Sequence, residues 1–131
     1  MSERDGPPRV LLADDDEGVR KALTRLLSSS CDVVGHVADG AQLLETIERL
    51  RPNVVVLDLR MPGINGLRAC RRLKTVVPGV DLIVCTAADD PWLRAWALEA
   101  GASAFVPKLR AGQDLLPAIH STTSVTRATD A

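Results

Sequence analysis

The chain has 131 residues, 46% of them hydrophobic, which suits one domain with a continuous core and leaves little material for a second. Sixteen basic residues against seventeen acidic ones, spread along the chain for a net charge of −1, exclude the basic footprint of a nucleic-acid binder. Cys31, Cys70 and Cys85 are odd in number, widely spaced and in no CxxC arrangement, and no apolar leader or membrane-length stretch is present, so the reading is a protein of the reducing cytoplasm.

After an N-terminal extension, residues 1–8, the first β-rich run is Val10 to Ala13. Val19, Ala22, Leu23, Leu26 and Leu27 recur at helical spacing and predict a first helix, with Asp16 and Glu17 at its start, where carboxylates complement the helix dipole. Val33 to Val37 is the second run, followed by the helical stripe Leu43, Leu44, Ile47 and Leu50. Val54 to Leu57 is wholly apolar, as a strand covered on both faces must be, and the stripe Leu67, Cys70, Leu73 and Val77 follows it. Arg68, Arg71, Arg72 and Lys74 form the wet face of that third helix. Leu82 to Cys85 precedes a fourth helix that opens at Asp90 and Pro91, a cap and a proline whose missing N–H costs nothing there, and stops at Gly101. Ala104 to Val106 is the last run. A fifth helix is expected from Gln113 to about Ser121, with Gly112 a poor cap and Pro117 inside it. Residues 121–131, STTSVTRATDA, lack periodicity and read as a flexible tail or the beginning of a linker. Five strands each followed by a helix imply right-handed crossovers and an α/β fold with a parallel sheet covered on both faces, over residues 9–120.

In such a sheet the functional crevice lies beyond the carboxyl ends of the strands. Asp58 ends the third strand, Asp14 and Asp15 end the first, and Thr86 and Lys108 close the fourth and fifth. If the first and third strands are neighbours, three carboxylates converge, and that crowding needs a cation. Oxygen ligands alone favour a hard ion, Mg²⁺ with Mn²⁺ as a substitute. A carboxylate nucleophile, a divalent ion and a lysine together serve phosphoryl transfer, with Asp58 becoming an acyl phosphate. The loop after Asp58, with Pro62, Gly63 and Gly66, is a tight turn that can bring a backbone carbonyl near the metal.

The stretches VLLADDDEGVRKAL, VVVLDLRMPGINGL, VCTAADD and GASAFVPK, in this order and spacing, resemble bacterial response-regulator receiver domains of two-component signalling over roughly residues 9–120. The resemblance implies a flavodoxin-like, doubly wound five-stranded sheet of order 2-1-3-4-5, and a receiver that takes a phosphoryl group from a sensor histidine kinase and catalyses only its own phosphorylation and dephosphorylation. It assigns Asp58 as phosphoacceptor, Asp15 as direct Mg²⁺ ligand, Asp14 as ligand through water, the Arg60 carbonyl as a further ligand, Lys108 as phosphate contact, and Thr86 and Phe105 as the switch pair. The motifs are closest to those of receivers that precede helix-turn-helix DNA-binding domains; no direct nucleic-acid or membrane binding is expected of residues 1–131. Two departures stand out. Leu109 follows the lysine where the family commonly has a proline, with Pro107 before it, and Phe105 lacks the hydroxyl of the tyrosine often found there.

Two rival readings are a haloacid-dehalogenase-type phosphohydrolase, whose Asp-x-Asp spacing Asp14 and Asp16 satisfy, and an unphosphorylated receiver that only binds proteins. The first needs its nucleophile on the first strand. The second leaves the intact set Asp14, Asp15, Asp58, Thr86 and Lys108 without a use. Trp92 and Trp96 lie one turn apart on the fourth helix, nearly opposite the stripe Ala97, Leu98 and Gly101, so at least one is expected on the surface as an interface residue. By the resemblance, a homodimer would use the fourth helix, fifth strand and fifth helix, or the first and fifth helices.

Overall fold

The computed structural model of the chain describes residues 6–63, 65–88 and 90–130, with side chains described as far as Thr123. Five strands, β1 (Arg9–Ala13), β2 (Asp32–Val37), β3 (Val54–Leu57), β4 (Asp81–Thr86) and β5 (Ala104–Pro107), form one parallel sheet in the order β2-β1-β3-β4-β5. They alternate with α1 (Glu17–Leu27), α2 (Leu43–Leu50), α3 (Gly66–Val76), α4 (Pro91–Glu99) and α5 (Ala111–Asp130). This is the expected α/β architecture, in the expected strand order.

The period of two along each strand divides the core into two layers. Leu11, Ala13, Val55, Leu57, Leu82 and Val84 face the layer that α2, α3 and α4 cover, through Ile47, Cys70, Leu73 and Ala97. Val10, Leu12, Val54, Val56, Ile83 and Cys85 face the other, against Leu23 and Leu27 of α1 and Leu115 and Ile119 of α5. Every β3 residue is buried, as both faces being covered requires. Truncating Leu57, which has no exposed surface, to alanine costs about 2–5 kcal/mol by the usual cavity argument.

Helix ends follow local chemistry. Asp16 caps α1 by accepting the Val19 N–H at 3.1 Å, and Asn65 caps α3 through Arg68 N–H at 3.3 Å. Asp90 occupies the N-cap of α4 with Pro91 behind it, although its side chain makes no capping bond, and Gly101 follows the end of that helix at φ +117°, where a side chain would be strained. The packed stripe of α4 is Leu93, Ala97 and Ala100; Leu98 is 42% exposed and does not belong to it.

The fifth helix differs most from expectation. It begins at Ala111, directly after a 3-10 turn over Lys108–Arg110, and its backbone stays helical past Ser121 to Asp130 with Pro117 inside. Ala111, Leu115, Ile119 and Thr123 are all buried at intervals of four, and the Thr123 hydroxyl donates to the Ile119 carbonyl at 2.8 Å. That buried face offsets the roughly 3 kcal/mol that an interior proline costs.

Candidate functional site

The site lies where four neighbouring strands, β1, β3, β4 and β5, end. The β1–β3 ladder runs one step beyond the strands, because the Asp58 N–H donates to the Ala13 carbonyl at 2.9 Å, while the Asp14 N–H donates to Val37 of β2 at 3.0 Å. The register therefore sets Asp14 and Asp58 side by side. Both carboxylates are buried, at 3% and 4% exposure, and Asp15 beside them is exposed. One oxygen from each of the three falls within 4.8 Å of the others.

Each Asp58 oxygen has its own partners. Oδ1 accepts the Thr86 hydroxyl at 3.0 Å across the end of β4, and the Arg60 N–H at 3.0 Å. Oδ2 accepts from Lys108 Nζ at 2.9 Å, and the same ammonium sits 2.8 Å from Asp14 Oδ2. Asp14 also accepts the Asp16 N–H at 2.9 Å, and its carbonyl accepts from the Arg20 guanidinium at 2.8 Å. Burial draws the Lys108 ammonium toward the neutral form, but hydrogen bonds and charge from Asp14 and Asp58 outweigh it, so its pKa stands above the ordinary lysine value. The Cys85 thiol nearby is pushed up to about 11, chiefly by burial, with the charge of Lys108 lowering it and those of Asp14 and Asp58 raising it.

Three carboxylates and one ammonium leave the pocket two negative charges. All the free donor atoms are oxygens, and Asp15 is open to solvent, which fits a hard divalent ion that keeps several waters and does not fit a thiolate or imidazole metal. Among the described residues no buried side-chain nitrogen or oxygen lacks a partner, so the two buried acids, Asp14 and Asp58, are held in place without the ion.

Every residue expected at the strand ends is brought to this one rim. Thr86 is fully buried and Phe105 is 9% exposed, with the Arg94 guanidinium carbon 6.0 Å from its ring centre. No cis peptide occurs among the described residues, and Pro107–Lys108–Leu109 runs from the strand into the 3-10 turn with Leu109 98% exposed. Trp92 and Trp96 of α4 are 51% and 53% exposed, their rings edge to face with centroids 4.7 Å apart. Arg20 was not anticipated, since nothing in the sequence announces a contact from the first helix back to a strand-end carbonyl.

A doubly wound parallel sheet with acids, a hydroxyl and a lysine at the carboxyl ends of its strands defines the class of an α/β signalling domain. The model of the response regulator receiver domain matches residues 10–120, and the chain belongs to that family, the receivers of two-component systems. It is 38% identical over 123 residues to the response regulator MprA of Mycobacterium leprae, covering 94% of this chain and 54% of that one. A second MprA, from Mycobacterium sp. strain KMS, is 40% identical over 110 residues, 84% of this chain and 48% of that one. The chain thus spans about half the length of the curated relatives it matches. Among solved structures, it resembles the isolated REC domain of RcsB from Salmonella enterica serovar Typhimurium with phosphomimetic BeF3- (TM-score 0.85, 26% identity, 91% and 90% of the two chains). It also resembles the BeF3-activated N-terminal receiver domain of Klebsiella pneumoniae RstA (TM-score 0.81, 28% identity, 88% and 97%). The phosphohydrolase alternative is set aside by this membership and by the place of Asp58 at the end of β3.

Proposed function

We propose that the chain is a phosphoacceptor switch in which Asp58 takes a phosphoryl group from a sensor histidine kinase. The observation that carries this reading is the convergence of Lys108 and Thr86 on Asp58, at 2.9 and 3.0 Å, beside two further carboxylates. A carboxylate oxygen of Asp58 attacks phosphorus, the bond from phosphorus to the donor's leaving group breaks, and an acyl phosphate forms. Lys108 then holds one phosphoryl oxygen through its ammonium, and the Thr86 hydroxyl donates to another. Asp14, Asp15, Asp58 and the Arg60 carbonyl would hold Mg²⁺, or Mn²⁺ in its place, with Asp14 acting through water, and the ion would supply positive charge to the equatorial oxygens.

Movement of Thr86 toward the phosphoryl group changes the packing of Phe105, and the α4–β5–α5 face carries that change to partners or to a second copy. Trp92 and Trp96 are the anchors of this face, as two half-exposed rings in mutual contact are an unusual apolar surface. In this reading Asp58 undergoes only its own phosphorylation and dephosphorylation, in the cytoplasm, a setting that three unpaired buried cysteines suit. The kind of bond formed is the test: neutral hydroxylamine releases phosphate from an acyl phosphate and leaves a serine or threonine ester intact. Label that survives hydroxylamine would refute Asp58 as acceptor.

A further inference from the structure

The connection between β2 and α2 touches both loops that carry the acids. At its start the Val37 carbonyl accepts the Asp14 N–H at 3.0 Å, and three residues later the Gly40 N–H donates to the Pro62 carbonyl at 2.8 Å, four residues past Asp58. Asp39 lies between these anchors with extended backbone (φ −142°), and its Oδ1 accepts the Ala41 N–H at 2.7 Å. That bond fixes the turn which aims the Gly40 N–H. The same carboxylate stands where a Cβ on Gly63 would fall, and Gly63 has φ +79°. The loop after Asp58 therefore passes against Asp39 in a form that only glycine takes without strain.

The Met61 side chain, 2% exposed, anchors this loop in the core, and Leu59 packs against the same cluster, so hydrogen bonds are left to set the spacing of its backbone. Past the Arg60 N–H, the backbone bond back to Asp58 is from Met61 N–H at 3.4 Å, a long one. The Gly40–Pro62 bond is the shorter tether, and it comes from the segment that also pins Asp14. Mg²⁺ demands near-ideal octahedral geometry, so the spacing between the Asp14 side and the Arg60 side of the pocket governs its affinity.

We propose that Asp39 is a positioning residue for cation binding, setting the β2–α2 turn so that Gly40 holds the Asp58–Gly63 loop at the spacing from Asp14 and Asp15 that a small hard ion requires. This rests on the reading of Asp14, Asp15 and Asp58 as a cation site. Asp39 contributes through an oxygen acceptor and not through its charge.

The test is calorimetric titration of Mg²⁺ into the full chain, wild type, Asp39→Ala, Asp39→Asn and Gly63→Ala, with metal-free thermal melts of each. Asp39→Ala should raise the Mg²⁺ Kd by about tenfold, the lower end of the range seen when outer-sphere supports are removed. Asp39→Asn keeps the oxygen acceptor and should stay within about twofold of wild type. Gly63→Ala should weaken binding as well, and combining it with Asp39→Ala should cost less than the two changes added, since both act on one contact. An unchanged Kd in Asp39→Ala, or an equal loss in Asp39→Asn, would overturn the proposal. Failure of the wild type to bind Mg²⁺ would instead overturn the cation site beneath it.

Discussion

Lys108 reaches across the end of β4 to place its Nζ 2.9 Å from Asp58 Oδ2, and the same nitrogen stands 2.8 Å from Asp14. The lysine thus tethers the ends of β1, β3 and β5 without the ion. Its pKa is raised, so the ammonium and its two pairs persist through neutral pH and are lost only as pH climbs above the ordinary lysine value of 10.5. Lys108→Ala removes a partly buried cation from two buried carboxylates, and the metal-free protein should lose about 1–3 kcal/mol in urea denaturation, between the ranges for exposed and buried pairs. Added Mg²⁺ should recover much of the loss.

Crowded negative charge suggests that removing any of the acids stabilises the metal-free protein, but the partners of each acid separate them. Asp15 is exposed and bonded to none of the surrounding groups described above, so Asp15→Asn should raise the metal-free melting temperature and weaken Mg²⁺ binding. Asp58→Asn sets an amide against the Lys108 ammonium and should lower it. A thermal shift of the same sign in both variants would contradict these assignments.

Trp92 and Trp96 should both be open to a neutral quencher, since each ring is about half exposed. Trp96→Ala should cost less than about 1 kcal/mol of stability, far below the 3–5 kcal/mol of a core aromatic. Its larger effect should fall on self-association or partner binding, read by sedimentation before and after phosphorylation.

The Cys70 and Cys85 thiols are both pushed up from the ordinary 9.0 to about 11, by burial first. Well below pH 9 they are protonated in folded and unfolded chains alike and do not affect stability. Between pH 9 and 11 the unfolded chain ionises first, so stability should fall across that window. Both should resist a thiol reagent in the native protein at pH 8 and react on unfolding.

Much of this was legible because the signals are local. Strand ends are marked by a switch from apolar to charged residues, as at Leu57–Asp58, and stripes such as Leu43, Leu44 and Ile47 repeat within one turn. The end of the fifth helix was not legible, because Ala111, Leu115 and Ile119 are held by burial against the sheet and α1, Thr123 one turn further on is buried as well, and Pro117 argues locally for a break. Leu98 was misplaced for a related reason: Leu93, Ala97 and Ala100 fit the sheet equally well by spacing, and tertiary packing decides between the stripes. In the site, the residue types at four strand ends could be read directly. The sharing of Lys108 between Asp14 and Asp58, the hold of Arg20 on the Asp14 carbonyl, and the tether from Gly40 to Pro62 depend on contacts between segments distant in sequence.

The central claim is that Asp58 accepts a phosphoryl group with the help of a divalent ion. Intact-mass analysis after incubation with a small phosphodonor, with and without Mg²⁺, tests it most directly. A single phosphoryl adduct should form on the wild type only with the ion present, and none on Asp58→Asn. An adduct on Asp58→Asn at the wild-type rate, or one that forms equally well in chelator, would contradict it.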